Sequence, residues 1–120
     1  TICLTREQVE NLFEIALENK YTSPDDRSVI RSDYVLYLWL GQKDYTKARS
    51  VLTKAVAENE DDVLNRINLL QLSRLQGDKE GVLTLLSDLQ GRKLSRQDRA
   101  LVQDVIAELA AQGVVVTTNL

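Results

Sequence analysis

Residues 29–62 can be laid over residues 63–96 without a gap, at a shift of 34. Val29 then meets Val63, Leu36 meets Leu70, Leu38 meets Leu72, Gln42 meets Gln76, Asp44 meets Asp78 and Leu52 meets Leu86. Ile30 with Leu64, Val35 with Leu69, Ala48 with Val82 and Val51 with Leu85 are apolar pairs at the same shift. Self-similarity at a fixed period of this size constrains a chain strongly. Each copy has to be one supersecondary unit that buries its apolar face against the next.

The spacing of apolar residues says what that unit is. Asp44 caps a segment with Ala48, Val51, Leu52, Ala55 and Val56 on one face, and Asp78 opens one with Val82, Leu83, Leu85, Leu86 and Leu89. Those are helical periods, and each is preceded by another: Ile30, Tyr34, Leu36, Tyr37, Leu38 and Leu40, then Leu64, Ile67, Leu69, Leu70 and Leu72. Ahead of both copies, Val9, Leu12, Phe13, Ala16 and Leu17 form a helical face behind a Thr5–Gln8 capping box. Ser23 caps the next helix, with Pro24 at its first position and Asp25 and Asp26 in its positive first turn. Asp61 reads as the cap of the fourth helix and Ser95 as that of the sixth, which has Leu101, Val102, Val105, Ile106 and Leu109. Gly77, Gly91 and Gly113 are stop signals, and the second helix ends near Gly41.

The pattern predicts helices over 5–20, 24–41, 44–59, 62–76, 78–90 and 95–112, and a strand-like or extended tail over 114–120. Six helices joined by very short turns stack as antiparallel hairpins, so the expected fold is all-α, a single domain over residues 1–120.

With its period of 34, and with Ala48, Leu52 and Ala55 at the small, large and small positions of the second helix, the chain resembles the tetratricopeptide repeat family. The resemblance is clearest over residues 29–96. It implies a right-handed superhelical stack with a degenerate first unit at 5–28, repeats at 29–62 and 63–96, a capping helix at 95–112 and a tail at 113–120. Phe13-x-x-Ala16 mirrors Leu52-x-x-Ala55 in the degenerate unit. The first helix of each copy departs from the family pattern. Ser32 and Arg66 stand where the family prefers Trp, Leu36 and Leu70 where it prefers Gly, and Glu60 and Leu94 at its proline site. Its aromatic site holds Trp39 in one copy, read as packing between hairpins, and Ser73 in the other. A related helical-repeat family or an ordinary six-helix bundle also accommodates these features.

Little in the chain suggests catalysis. The sequence contains no histidine and one cysteine, so it offers no imidazole base, no Ser–His pair and no zinc cluster. Glycine-rich phosphate loops are absent, and Glu58, Glu60, Asp61 and Asp62 lack the spacing of a calcium loop and read as a solvated helix junction. The expectation is a non-enzyme with no cofactor and no metal. The net charge of −3 argues against nucleic acid, and the cluster Arg92, Lys93, Arg96 and Arg99 reads as solvated charge beside Asp98. No apolar run is long enough for a membrane span, and no signal-peptide pattern is present. Cys3 cannot form an internal disulfide and reads as a small packed or exposed residue. A start at Thr1 and the lack of any methionine point to a segment or processed product of a longer chain.

The resemblance places the first helix of each pair on an inner face, with Ile30, Asp33, Tyr37, Leu40 and Gly41 in one layer and Leu64, Ile67, Gln71, Arg74 and Leu75 in the next. Asp33, Tyr37, Leu40, Gln71 and Arg74 are the expected partner contacts. Asn68 joins them as the one residue that falls on a position some family members use to grip a terminal carboxylate. Asp33, Tyr37, Asp98 and Val102 occupy the others, and Asp33 would repel that carboxylate. The leading expectation is a protein-interaction module holding a segment of another protein. One alternative is a capping or spacer part of a longer helical-repeat protein. The other is self-association, as a homodimer, through the edge of Val114–Val116.

Overall fold

The computed structural model describes residues 3–116, and these are helical in every regular element. In order they are α1 (Arg6–Glu18), α2 (Pro24–Leu36), α3 (Tyr45–Glu58), α4 (Val63–Leu75), α5 (Lys79–Leu89) and α6 (Arg96–Ala111), with α2 widening into a π-helical turn over Tyr37–Gly41. No boundary lies more than two residues from the expected one, because the caps act locally. Thr5 Oγ1 accepts the Gln8 N–H while Gln8 Oε1 accepts the Thr5 N–H, a complete capping box. Ser23, Asp44, Asp78 and Ser95 each accept the N–H three residues ahead.

One local expectation is corrected. The fourth helix is capped by Asp62 and not by Asp61. Asp62 is buried, and its two oxygens take the Asn65 N–H at 3.0 Å and the Asn65 side-chain amide at 2.8 Å. The helical run of α2 ends at Gly41, where the sequence places it. The left-handed residue is Lys43, with φ of 54°. Val114–Val116, the described part of the expected strand-like or extended tail, is neither helix nor paired strand. Residues 117–120 of that tail lie outside the described ones.

The turns after α2 and α4 share one design. Lys43 and Gly77, 34 residues apart, are both left-handed, with φ of 54° and 71°. The caps that follow have nearly the same backbone, φ −94° and ψ 80° at Asp44, φ −82° and ψ 84° at Asp78.

The chain divides into two compact units, Thr1–Asn68 and Leu69–Leu120, with the boundary inside α4. In the first unit α2 packs against both α1 and α3, and the tight turn at residues 42–44 makes α2 and α3 a hairpin. Its core is Tyr34, Val35, Leu38, Ala48, Leu52 and Ala55, all fully buried. The second unit buries Leu70, Leu72, Leu86, Leu89 and Val102 completely. Ser73, also fully buried, has a hydroxyl with no hydrogen-bond partner among the described residues, a loss of about 1–3 kcal/mol.

Helix ends in the first unit are closed by arginines. The C-caps of α1 and α3, Asn19 and Asn59, are extended rather than left-handed, and neither helix has a basic residue in its last turn. The last carbonyls therefore need donors from elsewhere. Arg27 donates to the carbonyls of Leu17, Asn19 and Thr22. Arg66 donates to those of Asn59 at 2.8 Å, Asp62 at 3.1 Å and Val56 at 3.3 Å. Each arginine lies four residues after its own helix's cap, Ser23 or Asp62.

Two outcomes are expected. Ala48→Leu overpacks the fully buried site on α3 and costs about 1–3 kcal/mol, whereas Ser50→Leu at an exposed position leaves melting unchanged. Equal melting of the two variants would mean that Ala48 is not at the hairpin contact. Arg66→Lys keeps the charge but not the fork that reaches three carbonyls, and should cost roughly 2–4 kcal/mol by thermal or urea unfolding. Wild-type stability in Arg66→Lys would show that the fork does not hold the α3–α4 junction.

Candidate partner-binding surface

The faces of α2 are set by its neighbours. Tyr34 turns toward α1, where its ring stacks on Phe13 at 4.8 Å and its hydroxyl donates to Glu14 at 3.1 Å. Arg31, buried on the same side, pairs with Glu58 at the end of α3. Another edge meets the first turns of α4. Asn65 donates to the Ser28 carbonyl at 3.1 Å and Asn68 to the Ser32 hydroxyl at 3.0 Å. What remains points outward. Val29, Asp33, Leu36 and Leu40, spaced i, i+4, i+7 and i+11, are all exposed. The three apolar members are 52%, 41% and 68% accessible for Val29, Leu36 and Leu40.

The expected contact residues fall in both units. Asp33 and Leu40 lie on the outward face of α2. Tyr37 is at its edge, half-buried and tilted against Phe13 with ring centres 6.1 Å apart. Asn68 is half-buried and its amide also reaches Asn65 Oδ1 at 3.3 Å, so it works within the polar seam between α2 and α4. Gln71 and Arg74 belong to the second unit and are exposed, and Arg74 pairs there with Glu108 of α6. Trp39 is half-buried in the π-helical turn. Val29 and Leu36 were not among the expected contacts. Their spacing with Leu40 was readable, but Leu36 stands at the family's glycine position and so reads as a helix contact.

The π-helical turn shapes the upper end of this face. The Gln42 N–H bonds to the Tyr37 carbonyl five residues back, at 3.0 Å, which widens the helix where Leu40 projects.

A second concavity was not expected from the sequence. A groove of about 340 Å³ between α1, α2 and α3 is lined by Glu14 and Glu18 on one wall, Lys47 and Lys54 on the other, and Arg31 and Tyr34 below. A neighbouring hollow of about 260 Å³ shares Arg27, Arg31 and Glu58. The walls carry opposite charge and largely compensate, so the groove presents no single-sign field to an ion. In the second unit a hollow of about 80 Å³ beside Arg74 and Glu108 is far below the size of a ligand site. Among the described residues no group of His, Cys, Asp and Glu is arranged to hold a metal ion, and no helix is long and apolar enough to cross a membrane.

At one end of the groove the charges close into a bridge from α1 to α3. Arg6 pairs with Glu10 and with the α3 cap Asp44, and Lys47 pairs with Glu10. The Arg6 guanidinium first, and then the Lys47 N–H, hold the Asp44 carboxyl below its ordinary value. The Lys47 ammonium holds Glu10 low against the opposing effect of its burial. Burial, and then the Glu14 carboxylate, push the Tyr34 hydroxyl upward.

No family model matches the chain, and neither the curated proteins nor the solved structures contain a match to it.

The two depressed carboxyls set the sign of an acid response. Their contribution is complete above the ordinary values of 3.8 for Asp44 and 4.5 for Glu10, and is lost as pH falls through the lower folded-state values. The melting temperature should therefore drop on acidification below those ordinary values. Asp44→Asn with Glu10→Gln should start lower at neutral pH and show a shallower drop. An unchanged slope in the double variant would remove this bridge as a source of acid sensitivity.

Proposed function

We propose that this chain is a non-catalytic protein-interaction module, a tetratricopeptide-type helical-repeat scaffold that holds a segment of a partner protein on the outward face of α2. One observation carries the reading. Val29, Leu36 and Leu40 are large apolar side chains left in water along one side of a helix whose other sides are packed. Apolar groups gathered on one face mark interaction sites, whereas isolated exposed ones do not. The repeat assignment draws its support from the 34-residue self-similarity and from the matching turns at Lys43–Asp44 and Gly77–Asp78. The non-catalytic part draws its support from a sequence without histidine or phosphate loops.

A second reading, a capping or spacer part of a longer helical-repeat protein, is favoured by α1. No residue of that helix is fully buried, and Leu12 and Ile15 are 56% and 64% accessible. In that reading a preceding hairpin of the parent chain covers α1.

The test is capture of a partner by the immobilised chain, with the fold of each variant checked by circular dichroism. Leu36→Ala with Leu40→Ala should weaken capture by about 30-fold, the ~2 kcal/mol typical of central anchors, while Arg96→Ala and Glu60→Ala change it little. Loss of capture in Arg96→Ala or Glu60→Ala, with the α2 double variant unaffected, would move the site off this face. A chain that captures nothing alone but binds its neighbouring parent segment would favour the spacer reading.

A further inference from the structure

The charges of α2 are sorted by side. Its two arginines, Arg27 and Arg31, are both on the packed side, one on the α1 carbonyls and one on Glu58. Its three aspartates, Asp25, Asp26 and Asp33, are all exposed. At 100° per residue they flank the line of Val29, Leu36 and Leu40, with Asp33 between Val29 and Leu36. No lysine or arginine of α2 reaches that side. Asp25 and Asp26 have a local role, since negative charge in a first turn favours the helix dipole. The Asp33 side chain is mid-helix and exposed, and it caps no helix end. The outward face is thus an apolar line with carboxylates beside it.

From this sorting we infer that the partner segment on α2 is a basic amphipathic helix, with its apolar side on Val29, Leu36 and Leu40 and a lysine or arginine against Asp33. This rests on the reading of α2 as the docking face. The occupant follows from charge complementarity. An acidic segment, or a second copy of this chain docking symmetrically through α2, would set carboxylates against Asp25, Asp26 and Asp33, and like charges brought together in a desolvating interface oppose association. The length fits a helix. Val29 to Leu40 spans about 16 Å at 1.5 Å per residue, three turns, enough for one short partner helix laid along it.

The test uses the full chain and two synthetic helical peptides of about 15 residues, a length at which helices become marginally stable. Both carry leucines at i, i+4, i+7 and i+11, flanked by lysines in one peptide and by glutamates in the other. Binding is read by calorimetry, and its position by amide shift changes in NMR spectra. The lysine peptide is expected to bind, to shift residues of the outward α2 face, and to weaken with added salt. Asp33→Lys should weaken it at least tenfold and Asp33→Asn by less. The glutamate peptide should bind Asp33→Lys better than it binds wild type. Asp33 is exposed and lysine is the better helix former, so this variant keeps its fold.

Equal binding of both peptides, abolished by Leu36→Ala with Leu40→Ala, would overturn the basic-partner inference and leave the docking face standing. Binding of the lysine peptide that ignores both Asp33→Lys and the leucine variants would place it elsewhere and overturn the inference and the docking face together. No binding of the lysine peptide would overturn the inference alone, because capture of a partner by the immobilised chain tests the face independently.

Discussion

A helix that ends without a left-handed residue leaves its last carbonyls facing the next segment with no donor of their own. In the first unit the donor is an arginine placed one turn into the following helix. Arg27 does this for α1 and Arg66 for α3. The arrangement closes one helix and fixes where the next one begins, since the guanidinium reaches those carbonyls only if its own helix starts close by. The planar fork serves several acceptors from one side chain, which a lysine cannot do. With Arg66 almost wholly buried, at 4% accessible, these bonds are made where water is scarce and missing them would be expensive. The positions of α1, α2 and α3 in this unit, and so the face that α2 leaves to solvent, follow from these junctions.

A polar seam supplies the second fixed point. Asp62, Asn65, Ser28, Ser32 and Asn68 join the first turns of α4 to one edge of α2 through paired donors and acceptors. A satisfied buried network admits few alternative registers, because sliding either helix would strand several polar groups at once. A bulky apolar side chain at Ser32 would lose the bond it now makes to Asn68.

With α1, α3 and the start of α4 occupying three sides of α2, charge sorting becomes meaningful. Arginines on the packed sides find carbonyls and Glu58, and aspartates on the open side find solvent. Both arginines of α2 are used on its packed sides, in helix closure and on Glu58, which leaves its outward face acidic and apolar. The opposed walls of the groove between α1 and α3 use charge in the same compensating way, which makes that concavity less selective for an ion than its size suggests.

The helices and their caps were legible in the sequence because both depend on neighbours within a turn. Thr5, Ser23, Asp44, Asp78 and Ser95 cap where their spacing to the apolar pattern says they should. Where two local candidates stood side by side, as at Asp61 and Asp62, the pattern had no means of choosing. The buried Asn65 amide, satisfied from Ser28 on another helix, made the choice. Leu36 and Leu70 show the limit most clearly. They coincide at the 34-residue shift, yet one is 41% accessible and the other fully buried. Asp33, Tyr37 and Leu40 were identified from the sequence as candidates, but the side of α2 that is open, and with it Val29 and Leu36, was not. Local periodicity determined that α2 is an amphipathic helix. Only the tertiary structure decided which of its apolar residues meet another helix and which meet water, since burial depends on groups distant in the chain.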